Sequence, residues 1–353
     1  MAVYDFLFNG LGLREWCGEK TGSGGPMTMA ELLAKSKNSG PKSDGIGLEG
    51  LWNLPFPSLD ELNKACPGMA RTRDMTKGVE DGFLGVKDAL KVILDPLTQP
   101  LSWLLEGALY AFTMTPWWLM IALLLGVVYL ASKSPRLMAF VASAILFLAF
   151  IDHYDYAMQT LSIIFVCALL CVLFGVPIGI AMSRSDRLQR VMIPVLDMLQ
   201  TLPTFVYLIP LIFLFSVTEP KLYGIAIILY AIVPVIRLTD LGIRLVDREV
   251  IEAANAFGMT KRQMLYGVQI PLALPNIMAG VNQTIMMSLA MVVIASLVSA
   301  PGLGVLVLRG IRNLELGVGL IAGLGIVLLA IILDRVTKAA LARVNASASV
   351  SGH

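Results

Sequence analysis

The sequence predicts an all-α polytopic membrane protein, on three observations. Hydrophobic residues fill 57% of the 353 positions and charged residues only 15%, with a mean hydropathy of +0.76, whereas soluble domains carry about 25% charge. The apolar residues are gathered into long blocks after residue 100 rather than spread along the chain. The loops between the blocks are basic on alternate sides, as membrane topology requires. A net charge of +2 gives no reason to expect a nucleic-acid partner.

Residues 1–95 read as a separate N-terminal tail. The stretches EKTGSGGP and KSKNSGPKSDG are rich in Gly, Ser, Pro and Lys and weakly periodic, which argues for irregular structure. The first residues, MAVYDFLFNGLGLREW, lack a basic start, a long apolar core and a small-residue cleavage site, so no signal peptide is expected. Residues 80–113 change character. Apolar side chains recur at helical spacing around two prolines, which predicts an amphipathic helix at the membrane surface, with a re-entrant piece as the alternative.

Seven apolar runs follow, at 116–132, 137–151, 161–182, 191–217, 222–236, 277–300 and 316–333. A bilayer crossing takes about 20 helical residues, so about seven spans are expected, the second and fifth borrowing flanking residues. Pro177, Pro194, Pro203, Pro210 and Pro234 lie inside the runs. They predict kinked or broken helices packed against other protein, where freed carbonyls find partners.

Orientation follows from Lys and Arg. One set of loops holds thirteen, from Lys133 and Arg136 through Arg184, Arg187, Arg190 and the 237–262 group to Arg335, Lys338 and Arg343; the opposite set holds Lys221, Arg309 and Arg312. The first set is therefore assigned to the cytoplasm. That puts the N-terminus outside and the C-terminus inside. Cys17 and Cys66 then both lie outside, where oxidising conditions permit a disulfide but sequence supplies no distance. Cys167 and Cys171, i and i+4 in an apolar run, read as small buried hydrophobes. With only His153 and His353, no metal site or catalytic triad is expected.

The longest cytoplasmic loop, 237–269, is patterned. Asp247 can cap a helix beginning REVIEAANAF. Val250, Ala253, Ala254 and Phe257 fall at i, i+3, i+4 and i+7, one apolar stripe. Gly258 can end the helix in the left-handed conformation. Thr260 and Gln263 form a capping box for a second helix, and Pro271 marks the start of the next span.

The segment EAANAFGMTKRQMLYGVQIP resembles the EAA motif of binding-protein-dependent ABC importer permeases: E-A-A, three residues, G, nine residues, I-x-L-P. Glu252, Ala253, Ala254, Gly258 and Pro271 match, and Val268 and Ile270 match conservatively. LDMLQTLPTFVYLIPLIFLF, IMAGVNQTIMMSLAMVVIASLV, PGLGVLVLRGI and AGLGIVLLAIILDR resemble the permease of glycine betaine and proline betaine (quaternary amine) uptake systems, over roughly 155–338.

The resemblance implies a type I ABC importer transmembrane fold. In that reading residues 1–95 are an extracytoplasmic tail, 96–155 an amphipathic segment with two peripheral helices, 156–338 the core permease domain and 339–353 a cytoplasmic tail. It implies a multi-pass protein of the bacterial inner membrane, paired with a second copy of itself, two ATPase subunits and an external substrate-binding protein, and surrounded by lipid. The cargo implied is a small osmolyte: glycine betaine first, then proline betaine, choline or trimethylamine N-oxide. Coupling to the ATPase would run through Glu252, Ala253, Ala254, Phe257 and Gly258.

The chain itself is not expected to be an enzyme or to bind a cofactor; ATP and Mg would sit on the partner. CGEKTGSGG lacks the Gly-Lys pair of a phosphate loop, and PGLGVL lies outside by this topology and lacks a following basic phosphate contact. Polar residues in the spans, Gln200, Thr201, Asn282, Gln283, Thr284 and Ser288, are candidates for the translocation pathway, or else for interhelical hydrogen bonds of about 0.6–2 kcal/mol each. Met286, Met287 and Met291 read as packing, and Asp197 is expected to pair with a nearby arginine such as Arg190. The rival class is a secondary transporter, which would show an internal repeat and intramembrane charges; neither is evident here.

Overall fold

A computed structural model describes residues 17, 56, 58–66 and 69–350, and the side chains as far as 343. The Gly- and Lys-rich stretches of the tail and His353 lie outside these residues. Every regular element among the described residues is helical. The chain divides into two compact units, 1–88 and 89–353.

In the first unit, Ser58 caps α1 (Leu59–Ala65) by accepting from the Glu61 amide at 3.3 Å. Cys17 and Cys66 are joined in a disulfide with Cα atoms 4.7 Å apart, and Leu62 and Met69 pack on it. The pairing that sequence left open is therefore made. From Thr72 onward the tail is not irregular: α2 runs Thr72–Met114, past Pro96 and Pro100. Its start is fixed in part by the Asp60 carboxylate, which accepts from the Thr72 amide at 3.0 Å, a contact twelve residues apart that periodicity cannot show.

The second unit is a bundle. Its helices are α3 (Trp117–Ser132), α4 (Pro135–Phe150), α5 (Tyr154–Arg184), α6 (Asp186–Thr201), α7 (Leu208–Leu214), α8 (Pro220–Arg244), α9 (Arg248–Ala256), α10 (Lys261–Met264), α11 (Ile270–Ala295), α12 (Leu303–Asn313) and α13 (Leu316–Val350). Among the described residues, four stretches are long and apolar enough to cross a membrane: Tyr154–Arg184, Pro220–Arg244, Lys261–Val298 and Leu316–Arg343. Two more are bent pairs. α2 meets α3 at 113°, and α6 meets the segment Thr204–Leu214 at 105°. α4 is apolar but only 16 residues long. The seven apolar runs thus appear as three continuous helices, one helix extended by a π-turn, one short helix, one arm of a bent pair and one whole bent pair.

Of the prolines read as breakers, only Pro203 marks a break. Leu202 before it is extended (φ −64, ψ 133), as the residue preceding a proline prefers. Pro177, Pro194 and Pro234 sit inside continuous helices.

α8 is the centre of the bundle. Leu222, Ala226, Ile227, Ala231, Val233 and Val235 have no exposed surface. Glycines let its neighbours approach: a Cβ on Gly179 of α5 would lie 2.6 Å from Thr239 Cβ and 2.7 Å from the Ile236 carbonyl, and one on Gly280 of α11 would lie 3.0 Å from Val235 Cα. Small residues at helix contacts are how membrane helices gain packing without a hydrophobic drive between them. α11 ends in a 3-10 turn, and the chain re-enters through Gly302 (φ 119), which lies on Thr160; the Leu303 amide donates to Thr160 Oγ1 at 2.9 Å. The PGLG segment is thus a clamp between α12 and α5.

Candidate functional site

The loop between α8 and α11 builds itself from short-range interactions. Asp247 Oδ1 accepts from the Glu249 amide at 3.0 Å and starts α9. α9 ends with Gly258 left-handed (φ 77). The Met259 amide reaches the Ala254 carbonyl at 3.2 Å and the Gly258 amide the Asn255 carbonyl at 2.9 Å, the paired bonds of a Schellman motif. Thr260 and Gln263 then form the capping box, each side chain bonded to the other's backbone amide. The second helix begins at Lys261 behind this cap, as expected, but the membrane-crossing stretch, Lys261–Val298, also begins there, ten residues before the expected entry at Pro271. α10 passes into a π-turn, Leu265–Gln269, and then into α11. Pro271 has no amide to continue the α-ladder, and the Ile270 amide bonds back five residues to Leu265.

The stripe of α9 is not covered by the described residues. Ala254 is buried, but Val250 and Ala253 are exposed and Phe257 is 86% exposed. Beyond the glycine, Met259 and Tyr266 are exposed as well, and Glu252 of α9 is exposed. Covering a phenylalanine side chain is worth about 2 kcal/mol.

The six polar span residues do not form one cluster. Gln200, at the end of α6, donates through Nε2 to Met287 Sδ of α11 at 3.8 Å. Gln283 is one turn before Met287 on the same face and is exposed. Thr201 is exposed and bonds back to the Met198 carbonyl at 3.4 Å. Thr284 and Ser288 lie about 100° round α11 from Gln283 and Met287. Both are wholly buried, on the face that Gly280 presents to α8, and neither hydroxyl finds a partner among the described residues. Asn282 donates to Asp334 of α13 at 3.0 Å, an interhelical tie.

Two charged features were not read from sequence, and a third takes a different arginine from the one named. Asp240 of α8 is buried; it accepts from Gln189 Nε2 at 2.7 Å and Arg244 Nε at 3.0 Å. Arg244 also donates to Asp186 at 2.8 Å and to the Met182 carbonyl at 2.9 Å. The network fastens the ends of α5, α6 and α8 immediately before the α9 loop. Its one sequence signal is the i,i+4 spacing of Asp240 and Arg244 at the edge of an apolar run. Lys221, counted above as a loop charge, is instead 4% exposed in the first turn of α8, paired with Asp95 at 2.7 Å and Glu219 at 2.8 Å. Asp197 pairs with Arg237 of α8, not Arg190. Arg190 is seven residues away on the same helix, about 10.5 Å along its axis, and bonds the Asp186 carbonyl. No group of three or more metal-ligating side chains occurs among the described residues.

Residues 172–346 match the family model described as binding-protein-dependent transport system inner membrane component. The chain is 38% identical over 310 residues to the glycine betaine/proline betaine transport system permease protein ProW of Escherichia coli (strain K12), covering 84% of this chain and 83% of that one. It is 44% identical over 194 residues to the glycine betaine transport system permease protein OpuAB of Bacillus subtilis (strain 168), covering 55% and 68%. Among solved structures, an inward-facing form of the MetNI methionine ABC transporter aligns with a TM-score of 0.48 at 18% identity, over 60% of this chain and 99% of that one.

Proposed function

Because the chain belongs to the family of binding-protein-dependent transport system inner membrane components, we propose that it is the membrane-spanning subunit of an ATP-driven importer for glycine betaine or a related quaternary or methylated amine. The observation that carries the coupling role is the α9 loop: it is rigidly capped at both ends yet leaves its apolar stripe uncovered. Such a surface fits a groove on a separate ATPase, which holds ATP and Mg and performs the hydrolysis. Phe257 and Ala253 supply contact area and Glu252 a polar anchor. Gly258 sets the angle between the two short helices, a conformation that costs other residues about 1 kcal/mol or more. The Asp240–Arg244 network ties the end of α8, from which this loop springs, to α5 and α6, so a push on α9 is delivered through α8 to the spans.

The assembly proposed is two copies of this chain, two ATPase subunits and an external binding protein. Positive charge puts the C-terminus and α9 in the cytoplasm and the N-terminal unit outside, and the Cys17–Cys66 disulfide suits an oxidising exterior. The cargo would pass along the face shared by Gln200, Thr201, Gln283 and Met287. Asn282, Thr284 and Ser288 stand behind that face. Uncharged polar groups and methionines can pass a bulky cationic head without trapping it in an ion pair.

The test is uptake of radiolabelled glycine betaine into vesicles holding this chain, its ATPase and its binding protein. Gly258→Pro and Glu252→Lys should each abolish uptake while the chain stays in the membrane. Normal transport by both variants would refute the coupling role. Uptake of an amino acid or sugar that no methylated amine competes with would refute the substrate class.

A further inference from the structure

Two cavities meet at the bend between α2 and α3, away from the pathway face. The first, about 700 Å³, is lined by Asp152 and Asp155 together with Trp117, Phe150 and Tyr154. The second, about 600 Å³, runs between α3, α4, α5, α11 and α13, and among its lining residues only Thr115 carries a polar side chain. Thr115 lines both, so the acidic, aromatic cavity adjoins the apolar one at that residue.

Each cavity has something unsatisfied. Asp152 and Asp155 enter no ion pair among the described residues. The Tyr154 hydroxyl is buried without a partner among the described residues. The apolar cavity opens sideways, with Leu123 and Val127 of α3 and Phe165 and Leu169 of α5 more than half exposed at its rim. Along α5 its lining runs from Met158 to Val172, about 21 Å of helix, longer than one leaflet's share of a hydrocarbon core about 30 Å thick.

The geometry points to a bound phospholipid with an ammonium headgroup: the ammonium lies among Asp152, Asp155 and the Trp117 and Phe150 rings, and one acyl chain lies in the apolar cavity. Carboxylates and aromatic faces together attract an ammonium. The acyl chain gains no hydrophobic free energy, because lipid tails are already apolar. It does restore the dispersion contacts that an empty cavity forfeits. Selectivity therefore resides in the headgroup and retention in the cleft. An anionic headgroup would meet two carboxylates and be rejected.

Native mass spectrometry of the full chain in detergent, titrated with phosphatidylethanolamine or phosphatidylglycerol, tests this. Phosphatidylethanolamine should be retained about tenfold more tightly. Asp152→Asn with Asp155→Asn, both surface positions, should remove that preference. Val127→Trp, at the exposed rim, should weaken retention of both lipids. Millimolar choline should not displace the lipid. Equal retention of the two lipids by the wild type, or a preference that survives the double substitution, overturns the proposal. Displacement by choline with Val127→Trp without effect also overturns it, and makes the acidic cavity a site for a free alkylammonium.

Discussion

Helices α8 and α9 are neighbours in the chain and use apolar side chains in opposite ways. α8 buries most of its side chains, leaving only Leu241 and Arg244 exposed, and even its Asp240 is enclosed and hydrogen-bonded. α9 buries Ala254 and leaves Val250, Ala253 and Phe257 open. Both are helical for sound local reasons, so helicity does not explain the difference. α8 is held by what packs on it. α9 is held by its caps, and its apolar face remains available to another molecule. Substitutions in α8 should therefore be felt as stability, and substitutions on the α9 stripe as partner affinity.

The largest effect should come from Gly179→Val. Its Cβ would meet Thr239 and the Ile236 carbonyl of α8 inside contact distance, and backbone cannot step aside cheaply. A loss of about 3 kcal/mol is expected, read as a lowered melting temperature of the detergent-purified chain. Gly126→Ala, where nothing lies within 4 Å, is the control and should be neutral or stabilising by up to about 1 kcal/mol. If Gly179→Val melts like the wild type, the close approach of α5 to α8 is wrong.

Asp240→Ala should cost about 2 kcal/mol, since Gln189 and Arg244 Nε lose their acceptor inside the protein. Arg244 keeps Asp186 and the Met182 carbonyl, which limits the damage. Chemical denaturation of the two chains side by side measures the difference, and an unchanged midpoint would remove the network from the account of α8.

Phe257→Ala sharpens the contrast from the other side. Stability should move by less than about 0.5 kcal/mol, as for an exposed position. Affinity for the purified ATPase should fall roughly thirtyfold, the equivalent of about 2 kcal/mol. A drop in melting temperature with affinity intact would mean that the stripe serves this chain alone.

The sequence by itself determined whatever is settled within a few residues. The Asp247 cap, the left-handed Gly258 and the Thr260–Gln263 capping box were all legible, because each closes over a distance of five residues or fewer. The apolar runs were legible too, since length and hydropathy are properties of the segment alone. Burial of Cys167 and Cys171 followed from the same pattern. Tertiary structure decided everything that depends on a distant neighbour. Five prolines looked alike, yet only Pro203 broke its segment; whether a lost hydrogen bond is tolerated depends on what packs around it. Asp197 took Arg237 rather than Arg190 because a fold brings α6 to α8, while sequence shows only the same helix. Lys221 was buried because Asp95, more than a hundred residues earlier, reaches it. Gln283 and Thr284 are adjacent and chemically similar, but one faces open space and the other lies against α8. A helix turns about 100° per residue, so which of two neighbours meets a partner is decided by where the next helix lies, and that position is not written in either residue.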